Sequence, residues 1–79
     1  MAQIVWTAVQ GSTAISAIGL KPPEHSGDKP HVHIRFVRGE TYVYRIPDES
    51  YYRALLNAAS KGRGYNQLIK QPFDYIRKY

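Results

Sequence analysis

The chain of 79 residues is long enough for one domain, and its 43% apolar and 22% charged residues are ordinary for a globular protein. It has no cysteine, which excludes disulfides, thiolate metal ligands and a cysteine nucleophile. The net charge of +5 arises in residues 50–79, where Asp74 is the one acid among several basic side chains, and this asymmetry predicts an acidic partner such as nucleic acid.

The first part of the chain predicts short strands. Residues 3–9 are β-branched and aromatic and predict either a strand or a tail that packs Trp6 onto the domain. Residues 14–20 predict a second strand with a bulge or bend, because the spacing of its two isoleucines breaks strict alternation. Residues 21–30 contain three prolines and predict a loop, which is either mobile or a binding loop.

Two clear strands follow, at residues 31–37 and 41–46, each with alternating apolar positions. A three-residue loop centred on Gly39 gathers their large apolar side chains on one face and pairs Phe36 with Tyr42. This register places the tyrosines in the core rather than on a surface that stacks on bases.

The opposite face of these two strands is the second basic surface that the sequence predicts. It carries His33, Arg35 and Arg45, with His33 and Arg45 as neighbours across the strands. The face is either solvated, as faces of antiparallel sheets often are, or a surface that contacts phosphates.

The second half of the chain predicts helices. Residues 47–60 follow a helical apolar pattern, with Gly62 as the expected C-cap, and residues 65–71 fit a short second helix. Residues 73–79 alternate aromatic and basic side chains and are expected to dock as an extended segment. The predicted fold is a single α+β domain, residues 1–79, with a small antiparallel sheet of three to four strands and two helices packed on one face.

Several motifs occur in an order that resembles the KTSC domain, which is named for its occurrence at the C-terminus of some lysyl-tRNA synthetases and also forms small bacterial and phage proteins. They are the stretch STAISAIG, Tyr42-Val43-Tyr44, Pro47, the run Ala59-Ser60-Lys61-Gly62-Arg63, Asn66 and Ile69. The resemblance covers residues 12–75 and leaves residues 1–11 as an extra N-terminal strand or tail. The chain departs from the family pattern at Leu20 and at Gly64-Tyr65, where the family favours tyrosine and Tyr-Phe.

The resemblance implies RNA binding, which the synthetase context suggests for the family. Combined with the charge asymmetry, it predicts a small basic nucleic-acid-associated module, RNA more than DNA, that contacts phosphates through its C-terminal half. The expected contacts are Lys61, Arg63, Asn66, Lys70, Arg77 and Lys78, with Tyr65 and Tyr75 as stacking groups. The glycines Gly62 and Gly64 serve either a phosphate site at a helix start or turn geometry alone.

The alternative function is a protein-binding regulator that docks on an acidic surface such as a subunit of host RNA polymerase, through residues 21–30 or the segment around Trp6. An enzyme is not expected, because no spacing of acids or hydroxyls suggests an acid–base pair or a nucleophile. The three histidines lack companion ligands, so neither a metal nor another cofactor is expected. No small-molecule substrate, membrane association or signal peptide is expected, and the predicted location is cytoplasmic.

Overall fold

A computed structural model of the protein describes residues 3–79, so the part of the predicted segment 1–11 that falls on residues 1 and 2 lies outside the described residues. The fold is α+β, as predicted. Its sheet has five strands, namely β1 (Val5–Ala8), β2 (Ile15–Lys21), β3 (His31–Phe36), β4 (Thr41–Arg45) and β5 (Tyr75–Lys78). The strands lie in sequence order and all neighbours are antiparallel.

The prediction of three to four strands was therefore too low. The segment 73–79, expected only to dock as an extended piece, contributes β5, which pairs with β4 and adds a full edge strand. The N-terminal segment forms β1 rather than a tail and pairs with β2. Both additions satisfy backbone groups of strands that would otherwise be the sheet edges.

The β3–β4 hairpin has a loop of three residues, as predicted, but the loop is displaced by one position. Phe36 donates its N–H to the Glu40 carbonyl at 2.8 Å, so the loop is residues 37–39. Gly39 adopts φ 111°, a conformation that favours glycine. Tyr42 consequently pairs with Ile34 rather than with Phe36, a shift of two residues that leaves every side chain on its expected face.

Strand β2 has the expected irregularity. Its register against β3 shifts between Ile15 and Ala17, which identifies a bulge at Ser16. The Ser16 hydroxyl donates to the Arg35 carbonyl at 3.3 Å.

The helices differ from the prediction in their boundaries. Helix α1 spans Ser50–Asn57, and α2 spans Lys61–Tyr65 before the chain continues into a π-helical turn over Asn66–Lys70. Gly62 lies inside α2, so it is not the C-cap of α1. The Ser60 side chain accepts the Arg63 N–H and caps α2, which begins four residues earlier than the predicted start at Tyr65.

Both helical segments pack on the same face of the sheet. The core consists of sheet and helix side chains in one cluster: Ile15, Ile18, Leu20, Val32, Ile34, Tyr44, Ile46, Tyr52, Leu55, Tyr65 and Ile69. Among residues 3–79, no helix combines the length and apolar character needed to span a bilayer.

Candidate functional site

The basic side chains of the C-terminal half do not form one surface, contrary to the prediction. Arg77 and Lys78 are consecutive on β5 and therefore point to opposite faces of the sheet. Lys78 lies on the helix side, where its Nζ is 3.4 Å from a carboxylate oxygen of Glu40. Arg77 lies on the other side, with its guanidinium 5.3 Å from the centre of the Tyr79 ring.

The corner between the two helices is also not an open phosphate site. The Ser60 hydroxyl accepts the Arg63 N–H at 3.3 Å, and the Ser60 carbonyl accepts the Gly64 N–H at 2.9 Å. The ammonium of Lys61 donates to the Ala58 carbonyl at 2.5 Å. Because these groups are already paired, the turn-geometry interpretation of the glycines is the better one.

Tyr65 is not available for stacking. Its side chain is 7% exposed, and its hydroxyl lies 2.6 Å from that of Tyr44 inside the core. Burial is the main cause that raises the pKa of both phenols, so both stay protonated at neutral pH. The prediction of Tyr65 as a base-stacking group was wrong because the residue is a core residue.

One groove on the helix side is lined by several predicted residues, but not by Lys61, Arg63 or Lys78. This groove, about 1100 Å³ in volume, lies between the π-helical turn and the helix side of β4 and β5. Its wall includes the predicted residues Tyr65, Asn66, Lys70 and Tyr75, together with Phe36, Arg38, Tyr42, Phe73 and Asp74. The groove thus combines several aromatic side chains with charged side chains of both signs.

The sheet face opposite the helices, called the helix-free face below, has a different character. Three cross-strand rows form it: Trp6, Gly19, His33, Val43 and Arg77; Ala8, Ala17, Arg35, Thr41 and Tyr79; and Lys21, His31 and Arg45. His31 rather than His33 pairs with Arg45, again a shift of two residues from the predicted register. None of these positions carries a carboxylate.

Two ring–guanidinium pairs flank His33 on this face. The Trp6 ring lies 5.8 Å from the His33 ring, edge to face, and the Arg35 guanidinium lies 4.3 Å from the Trp6 ring centre. The Tyr79 ring lies 6.4 Å from His33, and Arg77 lies against it. Each guanidinium is held by a cation–π contact that leaves its N–H groups for another acceptor.

The cations of this face are not neutralised within residues 3–79. The ion pairs there are Arg38–Glu40, Arg53–Glu49 and Lys78–Glu40, and none involves the helix-free face. Lys21, His31 and Arg45 lie beside the loop that follows β2, where Asp28 also lies. Arg35 on the central strand β3 and Arg77 on the edge strand β5 are therefore the clearest sites for an anion on this face.

Burial sets the protonation state of His33. Its pKa is lowered to about 4, chiefly by loss of solvation, with further lowering by the positive groups His31, Lys21, Arg77 and Arg35. The imidazole is therefore neutral at pH 7. Within the described part of the chain, no cluster of three or more histidine or carboxylate ligands is arranged for a metal ion.

Sequence reasoning identified His33, Arg35 and Arg45 on this face but missed Trp6, Tyr79 and the position of Arg77. One feature of the sequence could have indicated the position of Trp6. Trp6 and Gly19 fall on paired edge and inner strands, and aromatic residues often cover a glycine across a strand pair. The contribution of Tyr79 depends on β5, whose pairing partner the local pattern does not specify.

The KTSC domain family model matches residues 11–73. No curated protein and no solved structure matches the chain. The matched range contains β2, β3, β4 and all the helical segments, whereas β1 and β5 lie outside it. Since the match covers most of the sequence, the chain belongs to the KTSC domain family.

Proposed function

We propose that this protein binds single-stranded nucleic acid, RNA before DNA, through the helix-free face of its sheet. The observation that carries the proposal is the pair of rings, Trp6 and Tyr79, each with an arginine guanidinium against it. Aromatic rings on sheet faces stack on unpaired bases, and adjacent cations contact the phosphates between them. The absence of carboxylates from the face favours a polyanion further.

The proposed partner is still nucleic acid, as the sequence predicts, but the proposed binding surface is the helix-free face rather than the C-terminal half. Of the basic residues predicted from the C-terminal half, Arg77 alone belongs to the helix-free face, where it joins Arg35 and Arg45. The preference for RNA rests on the synthetase context that the family resemblance suggests. In this proposal the chain binds without catalysing a reaction, needs no metal or other cofactor, and acts in the cytoplasm.

The first test is the salt dependence of binding. A short labelled single-stranded RNA is titrated with the protein, and its fluorescence anisotropy is followed at low and moderate salt. If Arg35, Arg45 and Arg77 each contact one phosphate, the slope of log affinity against log salt concentration is about −2. A slope near zero contradicts phosphate binding.

Three charge variants then locate the surface. Arg35→Gln and Arg77→Gln should each weaken binding and make the salt slope less steep by about 0.7. The matched control is Arg63→Gln, which removes the same charge from an exposed position on α2. If Arg63→Gln weakens binding as much as the other two, general positive charge rather than the helix-free face holds the strand.

A protein-binding regulator is the second candidate, and the aromatic groove on the helix side favours it. Grooves that combine aromatic and charged side chains accept a segment of a partner protein, for example of a polymerase subunit, whose aromatic or aliphatic anchors pack between the rings. The purified chain is used to capture partners after nuclease treatment. Under this candidate Tyr75→Ser, in the groove, abolishes capture and Arg77→Gln leaves it unchanged. The reverse result contradicts it.

A further inference from the structure

A buried polar side chain in the middle of the helix-free face has an incomplete set of hydrogen bonds. The His33 side chain is 6% exposed, and its Nε2 has no hydrogen-bond partner. Its Nδ1 lies 3.3 Å from the Tyr79 hydroxyl, which is long for a hydrogen bond. Buried polar groups in native proteins are nearly always paired, so this imidazole calls for an explanation other than packing.

The cover over His33 comes from both edges of the sheet. On one side, a Cβ atom at Gly19 would lie 3.0 Å from two atoms of the Trp6 ring, so the tryptophan packs directly on the glycine. On the other side, Tyr79 pairs through its backbone with Thr41 and directs its ring towards His33. The absence of a side chain at Gly19 is what allows Trp6 to reach the histidine.

These two rings are attached to the edge strands, which can separate from the rest of the sheet more easily than the inner strands can. Strands β1 and β5 each pair with one neighbour only, and neither Trp6 nor Tyr79 belongs to the hydrophobic core. A ring can therefore move outward without opening the core. Both residues also lie outside the range 11–73 that matches the family, so the cover comes from the segments that flank this range.

We propose that the helix-free face holds one unpaired nucleobase of the bound strand between Trp6 and Tyr79, with the edge of that base hydrogen-bonded to His33. This inference rests on the proposed function. The base packs against the exposed Tyr79 ring, and its edge pairs with the unpartnered Nε2 of the imidazole. Arg35 and Arg77, each beside one of the rings, contact the phosphates on the two sides of the inserted base.

His33 and the arginines bind different parts of the nucleic-acid strand. A neutral imidazole presents its Nε2 to the base either as an N–H donor or as an acceptor, so it favours base edges that offer the complementary group at that point. The guanidinium groups bind phosphates, which are the same in every sequence. His33 thus sets the preference among bases, while the arginines set the affinity that all strands share.

The test uses Trp6, the single tryptophan of the chain, as a fluorescent reporter. The probes are short single-stranded homopolymers of each of the four bases and an abasic sugar–phosphate strand of the same length. We expect the base-carrying strands to quench Trp6 emission and the preferred one to bind about tenfold more tightly than the abasic strand. The four bases should also differ among themselves.

His33→Phe keeps a flat ring and removes both nitrogens. The preference among the four bases should disappear in this variant, whereas the affinity for the abasic strand and its salt dependence should stay unchanged. The matched control is His31→Phe, the same change two residues earlier on the same face, and it should retain the preference. An undiminished preference in His33→Phe overturns the inference.

Two further outcomes separate this inference from the proposed function. If the wild-type protein binds the abasic strand as tightly as the others, the base site is excluded and phosphate binding stands. If it binds no strand at low salt, both are excluded. Should His33→Phe not fold, Tyr79→Leu replaces it, because that side chain is 55% exposed. It should lose about tenfold towards base-carrying strands only, and an unchanged affinity overturns the inference.

Discussion

Acidification is a direct test of the burial of His33. Its pKa is about 4 in the native protein, mainly because burial removes water from the charged imidazolium, and near 6.5 in the unfolded chain. As the pH falls, the unfolded chain takes up this proton first. The native state therefore loses stability between about pH 6.5 and about pH 4, and the loss is complete below that range.

The size of the effect follows from the two pKa values. A change from 6.5 to about 4, at roughly 1.4 kcal/mol for each unit, corresponds to about 3 kcal/mol of unfolding free energy. A domain of this length has a total unfolding free energy of roughly 4–12 kcal/mol. We therefore expect His33 to account for a substantial part of the stability that the protein loses on acidification.

The measurement compares wild type with His33→Phe by urea unfolding, followed through Trp6 fluorescence, at about pH 7 and about pH 4. Carboxylates and His31 are present in both proteins, so their contributions cancel in the difference. We expect acidification to change the difference in unfolding free energy by about 3 kcal/mol in favour of the variant. Equal losses in the two proteins refute the reasoning.

Two pairs of variants test the helical corner and the core by urea unfolding. Gly62→Ala should stabilise the protein by about 0.5–1 kcal/mol, because nothing lies within 4 Å of the added carbon, and a lower stability refutes this. Gly64→Ala, in the same helix, should destabilise it by about 1–3 kcal/mol, because the new carbon would lie 2.8 Å from Ala58 Cβ. Tyr44→Phe and Tyr65→Phe should each cost about 1–3 kcal/mol by leaving a buried hydroxyl unpaired. The double variant should cost less than their sum, and strict additivity contradicts the coupling.

The alternation of β3 and β4 was enough to predict the two faces of the sheet. The predicted register was wrong by two residues, yet Tyr42 still lies with Ile34 and Phe36 on the helix side. Side chains alternate with a period of two, so an even error keeps each on its face. The bulge in β2 was predictable for the same reason, because its isoleucine spacing departs from that period.

The helix boundaries and the fifth strand were not predictable from local patterns. A glycine that follows a helical apolar pattern commonly marks the end of the helix. Here Ser60 caps a new helix, α2, which contains Gly62. Gly64 is explained by its close approach to Ala58, which depends on how the two helices pack. The residues of β5 form a strand only because β4 is free to pair with them, which is a tertiary effect.

The candidate site was predicted in part. Because they alternate with apolar neighbours, His33 and Arg35 were assigned to the correct face. The sequence did not predict that Trp6 and Tyr79 converge above His33, because this arrangement requires both edge strands, β1 and β5. The charge composition also placed Arg77 and Lys78 in one predicted surface. They are consecutive on β5 and therefore point to opposite faces of the sheet.

The sequential order of the strands has a consequence for how the molecule is made. Each strand pairs with the one before it, so a nascent chain can extend the sheet strand by strand as it leaves the ribosome, with the helices made before β5. Trp6 is synthesised before the family-matched residues 11–73 and Tyr79 after them. The aromatic pair over His33 is thus complete only once the segments on both sides of this scaffold have been made, and nascent chains that end before Tyr79 lack it.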